Sequence, residues 1–313
     1  MSFSHREETR GDRLLDILTD EAAGMRLIVS RLGAELVSIA RRDASGNWIG
    51  FLYRDNDLAK PERGWANHAT VMGYFLHRLK DGRSTYRGQR IEGGTHSFLR
   101  TKEWHLDRSL NAGGRLTYAI TRNDYTFIEY PLNVSLSLSY ELRDEGVHAA
   151  FSFENHETQL SAHVAFGLHP GFAAQRFESF KLTMPPGLYR RHLSPDNYLS
   201  GETEEIEFDG GEMPFARDNL PGSYILELAD VPDRTFVYED APRGRTFLLN
   251  FGEVPYVTLW SDGGPFLCVE PCWGLTDHHK QRPFEKKEGI QVIPPRGSLH
   301  AGFSMSPRLR SSR

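Results

Sequence analysis

Two short segments carry residue types that could move protons. Gly167-Leu168-His169-Pro170-Gly171-Phe172 puts a histidine and a proline at the end of an apolar strand, beside a glycine and an aromatic ring. Far downstream, Phe266-Leu267-Cys268-Val269-Glu270-Pro271 ends an apolar run on a lone carboxylate. An imidazole and a carboxylate at two strand ends could form a general acid/base pair, with aromatic rings as a floor for a sugar. The residue before a proline is held extended, so the position of His169 is well defined. A carboxylate following Phe266, Leu267, Cys268 and Val269 should be partly buried, and burial without a partner is costly. The alternatives are a satisfied core histidine and a structural carboxylate.

Other segments offer weaker chemistry. In Gly73-Tyr74-Phe75-Leu76-His77-Arg78-Leu79-Lys80-Asp81-Gly82, Arg78 stands in a largely apolar stretch, as a surface charge or as a donor fork for hydroxyls or a carboxylate. In Gly93-Gly94-Thr95-His96-Ser97-Phe98-Leu99-Arg100, the glycines permit close backbone approach to a ligand, or simply a turn. Cys268 and Cys272 flank Glu270, the first as a core side chain and the second as a semi-buried one. Four positions apart, with no second pair, they neither build a disulfide framework nor argue for zinc. His278-His279 reads as an exposed pair, and no GxGxxG, GxxxxGK or GxSxG motif occurs.

The elements that must position these residues read as strands. Leu132–Leu142 alternates apolar and polar residues, Arg143-Asp144-Glu145-Gly146 is a turn, and Val147–Phe153 alternates again, which predicts a hairpin. Similar runs cover Met25–Val29, Glu35–Ala40, Arg115–Thr121, Tyr224–Leu228, Thr246–Phe251, Tyr256–Trp260, Phe266–Glu270 and Leu299–Met305. Gly11–Ala23 fits either a short helix or a strand with a charged lead-in. Without βαβ alternation, internal repeats or a linker, the pattern predicts an all-β chain. It would be one large antiparallel β-sandwich over residues 1–313, with 1–10 and 307–313 frayed. Asn67–Arg100, rich in Gly, His and Arg, reads as an irregular connection able to carry function.

Composition narrows the classes. The chain has 313 residues, 39% hydrophobic and 25% charged, with a net charge of −5 and both signs interspersed. No Lys/Arg block points to nucleic acid, no apolar run is long enough for a bilayer, and the first residues show no signal-peptide core. Two cysteines so close together are read as reduced thiols, hence a cytoplasmic protein.

Taken in order, four blocks resemble the aldose 1-epimerase (galactose mutarotase-like) family, most nearly its bacterial branch. They are His77-Arg78-Leu79-Lys80-Asp81-Gly82, His96-Ser97-Phe98-Leu99-Arg100, Leu168-His169-Pro170-Gly171-Phe172 and Val269-Glu270-Pro271-Cys272-Trp273-Gly274. Gly33-Ala34-Glu35-Leu36-Val37-Ser38 and Lys287-Glu288-Gly289-Ile290 add to the likeness, which runs through nearly the whole chain. The resemblance implies a twisted antiparallel β-supersandwich with a sugar in its concave face, and interconversion of α and β anomers of a free aldose. It implies Glu270 as the base on the C1 hydroxyl and His169 as the acid on the ring oxygen. His96 would bind near C1 and Arg78 would hold hydroxyls, with Arg100 and Trp273 also lining the site. This chemistry requires neither cofactor nor metal. An anionic Glu270 would raise the pKa of His169, giving a bell-shaped pH profile.

The chain departs from the family pattern at four places. His77 stands where the family usually has glycine and could itself touch substrate; Ser97 and Leu99 replace small residues; Cys272 replaces a bulky one. Narrowing or re-polarising the pocket would follow. Arg83, Arg87 and Arg90 would suit an anionic sugar, or be surface charge. Two further readings stay open: a non-catalytic carbohydrate-binding or sensor protein on the same scaffold, and a lyase or hydrolase, which would need a second carboxylate or a tyrosine base. The expected partner is a small sugar, with no nucleic acid or membrane; monomer and homodimer both remain open.

Overall fold

The computed structural model describes residues 3–109, 113–214, 220 and 222–310. Among them there is no α-helix, only single 3-10 turns, and hence no helix long and apolar enough to cross a membrane. Strands form a five-stranded, a nine-stranded and an eight-stranded antiparallel sheet, with a separate two-stranded hairpin, Arg83–Tyr86 and Gln89–Glu92.

The nine-stranded sheet follows directly from alternation. Val134–Arg143 buries every second residue, pairs in unbroken register with Gly146–Asn155, and turns its polar residues outward. The apolar face meets the eight-stranded sheet. Phe151 and Phe153 lie 5.1 and 4.6 Å, centroid to centroid, from Phe166 of the strand Ala162–Ala173, and Phe247 lies 4.7 Å from Phe172 of that strand. Two sheets stacked face to face around a shared apolar layer make the β-sandwich expected of the sequence.

The eight-stranded sheet differs because its central strands are buried on both faces. Phe266–Trp273 is buried at every position, and Ala162–Ala173 at all but one. Its second face is covered by the segment 51–100, which is more ordered than its composition suggests. Ala69–Tyr74, inside that segment, is a fully buried strand paired with Ala165–Pro170. The irregular connection expected there is therefore half correct. Its strand was hidden because a strand buried on both faces shows no alternation.

The amino-terminal sheet is a meander of Phe3–Arg10, Arg13–Asp20, Met25–Ser30, Glu35–Arg42 and Trp48–Gly50. Gly11–Ala23 thus resolves into a turn and a strand. Phe3–Arg10, expected to fray, is an edge strand paired along its whole length. It is polar because only an edge needs covering: His5 Nε2 lies 2.9 Å from the buried Asp16, which also accepts both arms of Arg31. The carboxy-terminal strand Ser298–Leu309 likewise runs into the region expected to be loose.

Asp55 is stored against its ionisation preference in this region. Its carboxyl packs against Gly50, Ser38 Oγ donates to its Oδ2 at 3.0 Å, and its Oδ1 is buried without a hydrogen-bond partner among the described residues. Burial pushes its pKa up to about 6. The native state then binds this proton more tightly than the unfolded chain does. Stability from this group is greatest at low pH and is lost as pH rises through about 6. Asp55→Asn should therefore stabilise the protein at pH 8 by roughly 1–3 kcal/mol and change little near pH 4, as read by urea unfolding at both pH values. Equal destabilisation at both would show that the carboxylate is stabilising as an ion.

Candidate active site

The strand Phe266–Trp273 alternates across the eight-stranded sheet. Cys268, Glu270 and Cys272 fall on one face; Leu267, Val269 and Trp273 fall on the other, in the core. In the neighbouring strand, Gly167 pairs with Cys272 and Gly171 with Cys268, a register that sets His169 opposite Glu270. Thr258 pairs with Glu270 from the strand Tyr256–Trp260, and Thr70 pairs with His169 from Ala69–Tyr74. A row Thr258, Glu270, His169, Thr70 therefore crosses four strands on one face. Both central residues lie within their strands, not at strand ends as expected. Pro170 has no N–H, and the ladder to Phe266–Trp273 is interrupted between Gly167 and Gly171.

His169 Nε2 lies 3.2 Å from Glu270 Oε1. His169 is 6% and Glu270 1% exposed, and neither His169 Nδ1 nor Glu270 Oε2 has a hydrogen-bond partner among the described residues. Burial drives both groups toward neutrality. It raises Glu270 well above the usual carboxylate range, and burial together with the nearby His77 pushes His169 down to about 3. This reverses the expectation that an anionic Glu270 raises the histidine: the loss of water outweighs the attraction.

Two more histidines close over the row. His96 N donates to His77 O at 2.8 Å, His77 N donates to His96 Nδ1 at 3.3 Å, and His96 O accepts from Gly73 N at 3.2 Å. Because His96 Nδ1 accepts, the neutral ring carries its proton on Nε2. Burial, then the neighbouring His169, holds His96 well below its ordinary value, and burial with Lys287 pushes His77 to about 4. His77, His96 and Ser97 have φ of 53°, 61° and 62°, a left-handed backbone rare for such residues and concentrated here at the site.

The aromatic wall comes from elsewhere than the sequence suggested. Trp65 stacks on His169 at 5.1 Å between centroids, with Trp260 edge-on at 5.7 Å and Phe266 stacked on Trp65 at 5.2 Å. Asp262 Oδ2 accepts the Trp65 N–H at 2.8 Å, tying the loop to the sheet edge. Gly171 makes room, since a Cβ there would sit 2.4 Å from the Trp65 ring. Phe172, the ring next to His169 in sequence, points the opposite way into the core against Tyr238 and Phe247.

The remaining expected site residues divide. Arg78 is exposed beside His77, and its charge is felt by His77 and His96. Arg100 is half-buried, its pKa lowered by burial, with its charge reaching His169 and His96. Trp273 does not line this face: it stacks on Phe166 at 5.0 Å in the core, because 273 and 270 differ by an odd number of positions. Leu99 is also core, filling the space left by Gly73. Arg83, Arg87 and Arg90 sit exposed on the outer hairpin. His278 is buried rather than exposed, and Cys272 is fully buried rather than partly so. Trp65, Thr70 and Thr258 went unremarked as site residues in the sequence. Only Trp65 gave a signal, a tryptophan in a polar, glycine-flanked loop.

Two sequence blocks act as supports. Gly33 N donates to Lys102 O at 2.7 Å and leaves no room for a Cβ beneath Arg100 O, while Glu35 Oε1 accepts the His68 N–H at 2.9 Å. Lys287 Nζ pairs with Asp277 Oδ1 at 3.2 Å, and Asp277 Oδ2 accepts the Lys80 N–H at 2.7 Å. Each ties a turn bearing site residues to a rigid strand or a buried ion pair.

The aldose 1-epimerase family model matches residues 16–185. Among solved structures, the chain is similar to a galactose mutarotase related enzyme from Lactobacillus acidophilus, with TM-score 0.83, 21% identity and 99% of both chains covered. It is also similar to a galactose mutarotase-like protein from Lactobacillus casei (TM-score 0.81, 19% identity, 94% of this chain and 100% of that one). A galactose mutarotase-like protein from Clostridium acetobutylicum shows TM-score 0.74 at 14% identity, covering 98% and 99%. No curated protein matches. The match over more than half the chain, on a galactose mutarotase-like β-supersandwich, establishes that this protein belongs to the aldose 1-epimerase family.

Proposed function

We propose that the protein is an aldose 1-epimerase that opens and recloses a pyranose through Glu270 and His169. The observation that carries this reading is the 3.2 Å approach of an imidazole and a carboxyl, each with a buried polar atom that has no partner among the described residues. Mutarotation needs one proton taken from the C1 hydroxyl and one delivered to the ring oxygen. A neutral pair holds one proton, and its transfer from Glu270 to His169 creates a carboxylate base and an imidazolium acid with no change in net charge. Burial disfavours that ion pair less than it disfavours either ion alone. Glu270 then takes the C1 proton as His169 protonates the ring oxygen, the C1–O5 bond breaks, and the aldehyde rotates before reclosure. His96, with its proton on Nε2, donates to a sugar oxygen near C1. Trp65, backed by the buried Phe266, offers a flat apolar surface to a pyranose, and Arg78 and Arg100 supply donors at the rim. At 1% exposure, Glu270 meets a sugar only after the side chains covering it shift.

Glu270→Gln and His169→Asn should each slow mutarotation by ~10²–10⁴-fold, measured by polarimetry or NMR exchange across neutral, phosphorylated and sulfonated aldoses. Wild-type rates in either variant would remove the pair from the mechanism; no acceleration of any sugar by the wild type would favour a binding protein. Because burial holds His169 near 3 and raises Glu270, the productive one-proton state spans a wide range. The acid limb of kcat/KM should lie well below the ordinary histidine value of about 6.5. A limb at 6.5 would show that His169 is solvated in the working enzyme. Gly171→Ala should tilt Trp65 and raise KM several-fold with little loss of fold stability; an unchanged KM would take Trp65 out of the sugar site.

A further inference from the structure

A second function converges on the carboxyl of Glu270. Cys272 lies two residues further along the same strand face, and His77 reaches in from the turn after the strand Ala69–Tyr74. The ligating atoms of His77, Glu270 and Cys272 lie within 4.8 Å of one another, and all three side chains are buried. Cys272 is a free thiol. Thr258 Oγ1 stands between its neighbours, 3.5 Å from His77 Nε2 and 3.8 Å from Cys272 Sγ. An imidazole is kept at this turn even though φ of +53° is a conformation that glycine adopts without strain.

We propose that His77, Glu270 and Cys272 form a site for zinc or a cation of similar softness, built onto the catalytic carboxylate. One nitrogen, one oxygen and one sulfur suit zinc, whereas magnesium and calcium take oxygen donors. Zinc bonds of about 2.0–2.3 Å in a tetrahedron set ligands roughly 3.3–3.8 Å apart, so a modest contraction of the triangle closes it. Three protein ligands leave the fourth position to water or a sugar hydroxyl. The Thr258 hydroxyl can donate to the Cys272 sulfur once it is ionised on the metal. His169, Cys268 and Glu270 make an overlapping triad. That triad would have to re-aim an imidazole already facing Glu270 Oε1 and clamped beneath Trp65; the His77 triad leaves it in place. An ion on Glu270 occupies the base, so zinc should slow the reaction. The inhibition rests on the epimerase reading; the binding does not.

The full-length protein, kept reduced by a phosphine, is titrated with zinc alone against a chromophoric chelator and with cobalt(II) alone for thiolate-to-metal absorption. The wild type should take up one ion per chain and show the thiolate band. Cys272→Ser should abolish the band, and both Cys272→Ser and His77→Gly should weaken binding by more than the ~10–100-fold typical of changes outside the ligand shell. Cys268→Ser should bind like the wild type. Thermal unfolding without metal verifies that the variants are folded, and His77→Gly relaxes the backbone rather than straining it. No uptake at micromolar zinc, uptake that survives both ligand changes, or uptake lost in Cys268→Ser would each overturn the site. In the polarimetric assay, zinc should slow the wild type and a chelator restore it. A protein that binds zinc through these residues yet epimerises no sugar leaves the site standing and refutes the epimerase reading.

Discussion

The structure depends on one register. When Gly167 and Gly171 pair with Cys272 and Cys268, His169 is carried opposite Glu270 on strands that are covered on both sides. Shifting either strand by one residue would turn one of the two groups into the core, since side chains alternate with a period of two. The apolar residues between them enforce the register. Phe166, Leu168 and Phe172 on one strand, and Leu267, Val269 and Trp273 on the other, are buried in the shared core. The same packing that stabilises the sandwich therefore aligns the imidazole with the carboxyl.

Covering the second face decides the electrostatics. The segment 51–100 places His77, His96 and the Trp65 loop over the row, and the exclusion of water pushes carboxyl and imidazoles alike toward their neutral forms. A neutral pair sharing one proton suits a reaction that moves one proton between neighbouring oxygens of an uncharged ring. It is also a poised arrangement: a charge brought in by a bound cation would pull the proton off. Supports lie outside the site itself, in the Lys287–Asp277 pair and in the contact of Gly33 with the turn at Arg100.

Legibility varied with environment. Leu132–Leu142 could be read because one of its faces is wet, and the structure reproduces its alternation position by position. Ala69–Tyr74 could not, because a strand buried on both sides has no polar face to mark its period. Phe3–Arg10 failed for the opposite reason: an edge strand that is almost wholly polar looks like a tail. At the site, the family-like blocks pointed to His169, Glu270, His96 and Arg78. Linear proximity misled for Phe172 and Trp273, which sit an odd number of positions from the residues they seemed to accompany.

The sequence by itself determined an all-β sandwich, because that rests on local periodicity, and it singled out His169 and Glu270 by residue type and spacing. Only the tertiary structure decided the ionisation of that pair, the aromatic wall formed by Trp65, Trp260 and Phe266, and the meeting of His77 with Cys272 beside Glu270. Those properties come from segments far apart in the chain closing over one sheet face. The water that this closure excludes sets the local dielectric, which no stretch of sequence encodes alone.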